Sequence, residues 1–196
     1  MKRIILAILL PFFFCEMNAQ DVFSKKRIDG DVIIMTKPLK VSLPWQPTIE
    51  YRLFCRTDNQ MINHYSLILS VESGNGNLVF EKGSRLLIQT ESGTTIHLIN
   101  NRGEGDIPFY DTSGIGSWIS RRVLKANTMN VYSIEYTADE NDIERLTKEG
   151  ISSLRIETSA DNINCNYNHT KSQLIQDYLI SSCQNIYDSL NPEASF

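Results

Sequence analysis

Residues 85–100, RLLIQTESGTTIHLIN, hold two alternating apolar runs joined by Glu91-Ser92-Gly93, and no other stretch of the chain restricts its fold as much. A three-residue hairpin loop needs a left-handed residue near its end, and Gly93 supplies one. With Thr90 opposite Thr94, Ile88 falls opposite Ile96 and Leu86 opposite Leu98, so four aliphatic side chains share one face. That face must cover a core. The other face carries Leu87, Gln89, Thr95 and His97, a mixture suited to partial solvation or to a second layer.

The first nineteen residues read as an export leader. Lys2 and Arg3 precede an eleven-residue apolar run, Ile4 to Phe14, and Ala19 offers a small residue for cleavage. A bilayer span takes about 20 apolar residues, so this run is too short to cross one. Cys15 is a poor lipid-anchor site because Phe14 stands where a small residue is wanted. Loss of Lys2, Arg3 and Glu16 moves the formal charge from −4 to −5, with no basic stripe, which argues against nucleic acid as a partner. The chain then divides into a leader (1–19), a flexible lead-in (20–30) and a single β-rich domain (31–196) in the periplasm or outside the cell. No later stretch is apolar enough to span a membrane.

Alternation continues elsewhere. Tyr51, Leu53 and Cys55 share a face, as do Tyr65, Leu67, Leu69 and Val71, and Tyr132, Ile134 and Tyr136. Leu39 to Leu43 alternates among Pro38, Pro44 and Pro47, which confines it to an edge. Thr137 to Glu140 has capping-box spacing and Gly150 can end a helix, predicting a short helix over 138–149. Ile151 to Thr158 returns to strand, the Asn-rich stretch 161–168 reads as a loop, and Thr170 can cap a C-terminal helix over 171–190. In that helix Leu174, Ile175, Tyr178, Leu179, Cys183, Ile186 and Leu190 form the apolar stripe. The expected architecture is mainly β, with sandwich-like antiparallel sheets and these two helices.

FEKGSRLLIQTESGTTIHL (80–98) and YTADENDIERLTKEGISSLRIET (136–158) resemble stretches of small exported β-rich proteins of Bacteroides-type bacteria. The resemblance covers under half of the mature chain. It implies a mainly β domain in the cell envelope and assigns no catalytic residue.

Chemistry-bearing motifs are sparse. His64, His97 and His169 stand far apart and fit no metal or nucleophile spacing, so none is assigned a role. Ser113 to Ser117 lacks the lysine and hydroxyl of a phosphate loop. Glu104, Asp106 and Asp111 match no calcium loop, so no cofactor or metal is expected. The long segment 101–118 also carries Phe109, Tyr110 and Trp118, which either plug one end of the fold or present a surface to a protein or glycan. Three cysteines remain after the leader. Cys165 with Cys183 is the expected disulfide, and Cys55 with Cys183 is its rival. Two functional readings follow: a non-catalytic binding or assembly module for a protein or glycan, or a small hydrolase whose site has no local signature. The sequence leaves the oligomeric state open.

Overall fold

The hairpin register expected from the sequence is the one found: Leu86 pairs with Leu98 and Ile88 with Ile96, and none of the four is more than 2 % exposed. The turn closes as Gly93, at φ 89°, donates its N–H to Thr90 O at 3.1 Å. This computed structural model describes residues 22–28, 30–73, 78–102, 130–159 and 161–191. Among them run β1 (Val22–Ile28), β2 (Asp31–Thr36), β3 (Leu39–Val41), β4 (Thr48–Thr57), β5 (Asn63–Ser73), β6 (Arg85–Thr90), β7 (Thr95–Asn100), β8 (Asn130–Ala138), α1 (Glu140–Glu149), β9 (Ile151–Ile156), β10 (Ile163–Asn166) and α2 (His169–Leu190).

The protein is mainly antiparallel sheet with a short helix and a C-terminal one. Its layers come from one continuous sheet, ordered β1-β2-β4-β5-β8-β7-β6-β9-β10 with β3 also on β4. Tyr51 on β4 and Tyr167, just beyond β10, touch through their hydroxyls at 2.5 Å. Six strand steps separate β4 from β10, about 29 Å in a flat sheet. The sheet is therefore curled until its two halves face each other, although β1 and β10 do not join into a barrel. The corner lies at the β7–β8 seam, where only Ile99–Thr137 and Asn100–Tyr136 pair. Buried Asn100 holds the strands there, accepting from Gly83 N at 2.7 Å and donating to Ser84 O at 2.9 Å.

α2 touches β1, β2, β3 and β4 on one side and β9 on the other, and its Ile175, Leu179 and Ile186 enter the same core as Tyr51, Ile88 and Tyr136. One polar joint fixes its height. Tyr178 Oη donates to Lys37 O at 2.7 Å and lies 2.7 Å from Thr36 Oγ1, which accepts from Leu53 N at 2.9 Å. Thr36 thereby fills the gap in the β4 ladder between the ends of β2 and β3.

Several local expectations are corrected. Residues 22–28, taken as flexible lead-in, are edge strand β1, paired along β2. Residues 163–166, taken as loop, are β10: Ile163, Cys165 and Tyr167 point inwards while Asn164 and Asn166 point out. Thr137 does not cap α1, because β8 stays paired with β5 through Ala138; the capping box is Asp139 with Asp142. Asn168, not Thr170, caps α2 by accepting from Lys171 N at 3.0 Å. Leu174 is exposed, and the buried stripe runs through Ser172 and Ser182 instead. Glycine is needed at 150, where φ is 68° and an added Cβ would stand 2.9 Å from Ser172 Oγ.

Ile88 sits at the centre of this packing with no exposed surface. Ile88→Ala should lower unfolding free energy by about 2–5 kcal/mol, measured by denaturant titration; a change within error would mean that the hairpin face is not in the core.

Candidate functional site

No disulfide is seen among the described residues, where Cys55, Cys165 and Cys183 are unbridged. The alternation of β10 turns Cys165 inward beside Tyr167 and Tyr51, whereas α2 carries Cys183 to Cys55 and Tyr65. Burial pushes all three thiols up to about 11, so thiolate is scarce at neutral pH and none is an activated nucleophile. Phe109, Tyr110 and Trp118, like Glu104, Asp106 and Asp111, lie outside the described residues.

Two histidines do meet carboxylates. His64 Nε2 is 3.2 Å from Asp58 Oδ2 on the β4–β5 turn, and His169 Nδ1 is 3.1 Å from Glu91 Oε1 where the β6–β7 turn meets α2. Both imidazoles are exposed, and so is His97. Asp58 is already occupied, accepting from Gln60 N at 2.8 Å and Ile62 N at 3.0 Å. Beside Glu91, Glu149 accepts from Thr90 Oγ1 at 2.7 Å and from Ser92 Oγ. These carboxylates tie the hairpin turn to the two helices.

A cleft of about 670 Å³ is lined by Lys25, Lys26, Arg27, Asp58, Asn59 and Met61, among others. Lys25 donates to the Ser189 carbonyl there, and Leu190 also lines the cleft, so it is the joint at which β1, the β4–β5 turn and the end of α2 meet.

The two halves of the sheet differ on their outer faces. Over β4, β5 and β8 that face is buried: Ile68 is fully enclosed, Ser70 and Ser133 bond each other at 2.9 Å, and Glu135 accepts from Ser66 at 2.8 Å and pairs with Arg102 at 3.3 Å. Over β7, β6, β9 and β10 it is accessible, and the register sets its side chains in two rungs. Asn164, Arg155, Leu87 and His97 form one rung; Asn166, Ser153, Gln89 and Thr95 form the other. Three strand steps make the platform roughly 14 Å wide. A shallow groove of about 280 Å³ crosses it. Ser153 Oγ donates to Gln89 Oε1 at 3.3 Å, and the Asn162 amide, with its oxygen turned towards Arg155, accepts from Nε at 3.2 Å.

At the rim stands a residue that sequence reasoning missed. Leu43-Pro44-Trp45-Gln46 closes through Gln46 N to Leu43 O at 3.4 Å, with Trp45 at φ 63°. Proline second and a positive φ third is the type II turn, whose third position normally takes glycine. Here it holds a fully exposed tryptophan. The neighbouring Gln46 side chain accepts from Asn166 N at 3.3 Å, fixing the turn to the edge of the platform. The available signals were a tryptophan between two prolines and the period-two spacing of Ile163, Cys165 and Tyr167 within the Asn-rich stretch.

Comparison of the chain with protein-family models, curated proteins and solved structures returned no match. Its functional reading therefore rests on its own surface chemistry.

Two predictions follow from this geometry. An L-residue in the left-handed region costs about 1–2 kcal/mol, part of which glycine returns as unfolded-state entropy. Trp45→Gly should thus raise stability by roughly 0.5–1 kcal/mol in denaturant titration, and a loss of stability would show that the indole supports the fold. The second concerns acid. The Ser92 hydroxyl holds the Glu149 carboxyl below its usual range, and His169 does the same for Glu91. A depressed folded pKa contributes stability above the ordinary carboxylate value and loses it as pH falls through the folded one. Acid melting curves should therefore steepen below about pH 4.5, the unfolded value, and Glu149→Gln should flatten that dependence; an unchanged slope would contradict the role of this joint.

Proposed function

We propose that this chain is an exported, non-catalytic binding module of the cell envelope, with the outer face of β7, β6, β9 and β10 and the Trp45 turn as its binding surface. The leader-like first nineteen residues support export. The observation that carries the binding reading is the fully exposed Trp45 held at positive φ beside an accessible polar sheet face. A large rigid aromatic presented at a conformational cost gives contact area with little entropy left to lose on association. The hydrolase reading calls for a base and a nucleophile converging in a cleft. The imidazole–carboxylate pairs here are exposed at two separate turns, and the buried thiols are protonated at neutral pH.

The test is turnover. The full chain should hydrolyse neither chromogenic esters nor aryl glycosides above buffer rates. Hydrolysis that His64→Ala or His169→Ala abolishes would overturn the binding reading in favour of the enzyme.

A further inference from the structure

We infer that the platform beside Trp45 takes an anionic glycan, a chain of pyranose rings bearing uronate carboxylates; this deepens the binding reading and rests on it. A pyranose ring presents C–H faces and a rim of hydroxyls that both donate and accept. Trp45 offers a flat, fully exposed apolar ring for the first. For the second, Gln89 on β6 and Asn164 and Asn166 on β10 project from either side of β9 in adjacent rungs, and each side-chain amide both donates and accepts. Ser153 adds a hydroxyl between them, bonded to Gln89.

The charge pattern selects the kind of glycan. The chain carries a net charge of −4, yet among the described residues the groove is lined by Arg155 and no carboxylate. The nearest acid along β9 is Glu157, and its oxygens are engaged by Arg85 at 2.8 and 3.1 Å. Asn162 orients Arg155 through a neutral amide, and Glu157, the acid within reach of its charge, is shared with Arg85, so two guanidiniums face one carboxylate. A guanidinium held in this way is a fork for a planar carboxylate. A nucleic acid would meet one cation among the groove's lining residues, whereas a uronate repeat needs a single cation per bound ring and meets amides on either side.

The experiment is calorimetric and fluorescence titration of the full chain with tetragalacturonate, with maltotetraose as the neutral counterpart. Tetragalacturonate should bind with a change in tryptophan emission, and maltotetraose at least about tenfold more weakly. Trp45→Ala and Arg155→Gln should each weaken tetragalacturonate binding by about tenfold or more, while Lys82→Gln, an exposed residue away from the groove, should match the parent. Thermal melts of each variant separate a lost contact from lost folding. No binding of tetragalacturonate by the parent chain, or binding indifferent to both Trp45→Ala and Arg155→Gln, would overturn the site; equal binding of maltotetraose would overturn its charge assignment. Release of reducing ends from the probe would instead overturn the non-catalytic reading, so the two failures are told apart.

Discussion

Among the described residues, everything in this fold depends on how a ten-stranded sheet with two open ends buries one face. A flat sheet of that width would leave its inner face half covered by a single helix. The curl at the β7–β8 seam solves the problem by turning the sheet's own far half into the second layer. The Tyr51–Tyr167 contact marks where the halves meet; both hydroxyls are buried, and Tyr167 also bonds Cys165 while Tyr51 depends on Tyr167. Removing the Tyr167 ring would leave the Tyr51 hydroxyl stranded in the core, a penalty of about 1–3 kcal/mol before any cavity is counted.

Curling also leaves the two outer faces differently exposed. The half with β4, β5 and β8 carries serines, Glu135 and Ile68 outward, and these are buried and bonded. The half with β6, β7, β9 and β10 carries amides, hydroxyls, His97 and Arg155 outward, and these meet solvent. The strain at Trp45 belongs with the second half, because Gln46 anchors that turn to Asn166.

Legibility in the sequence followed contact distance. The Leu86–Leu98 hairpin was readable because turn, register and face are all set within sixteen residues. Both helices were readable from capping residues and stripe, with each start misplaced by two residues: strand pairing of Thr137 and Ala138 overrode a good local cap for α1, and Asn168 capped α2 ahead of Thr170. β10 was hidden by composition: asparagine is a poor strand former, yet cross-strand neighbours on β9 impose the strand. The site was illegible for a further reason. Its rungs bring Asn164, Arg155 and Leu87 together from segments some seventy residues apart, and no local pattern encodes that register.

The two ends of the sheet show why it stays open. An unpaired strand edge invites another chain, and the two edges here are blunted differently. β1 is rich in cations, with Lys25, Lys26 and Arg27 in succession, and Lys25 is drawn to the carbonyl of Ser189 near the end of α2. β10 is only four residues long, and the Gln46 side chain occupies the amide of Asn166. Joining these edges into a barrel would require β1 to reach β10 across the ground that α2 covers between β1 and β9. It would also expel Ile175, Leu179 and Ile186 from the core. The helix thus does the work of the missing ladder: it buries the inner face at the opening and leaves Gln46 free to hold the Trp45 turn at the platform's rim, which a closed β1–β10 ladder would displace.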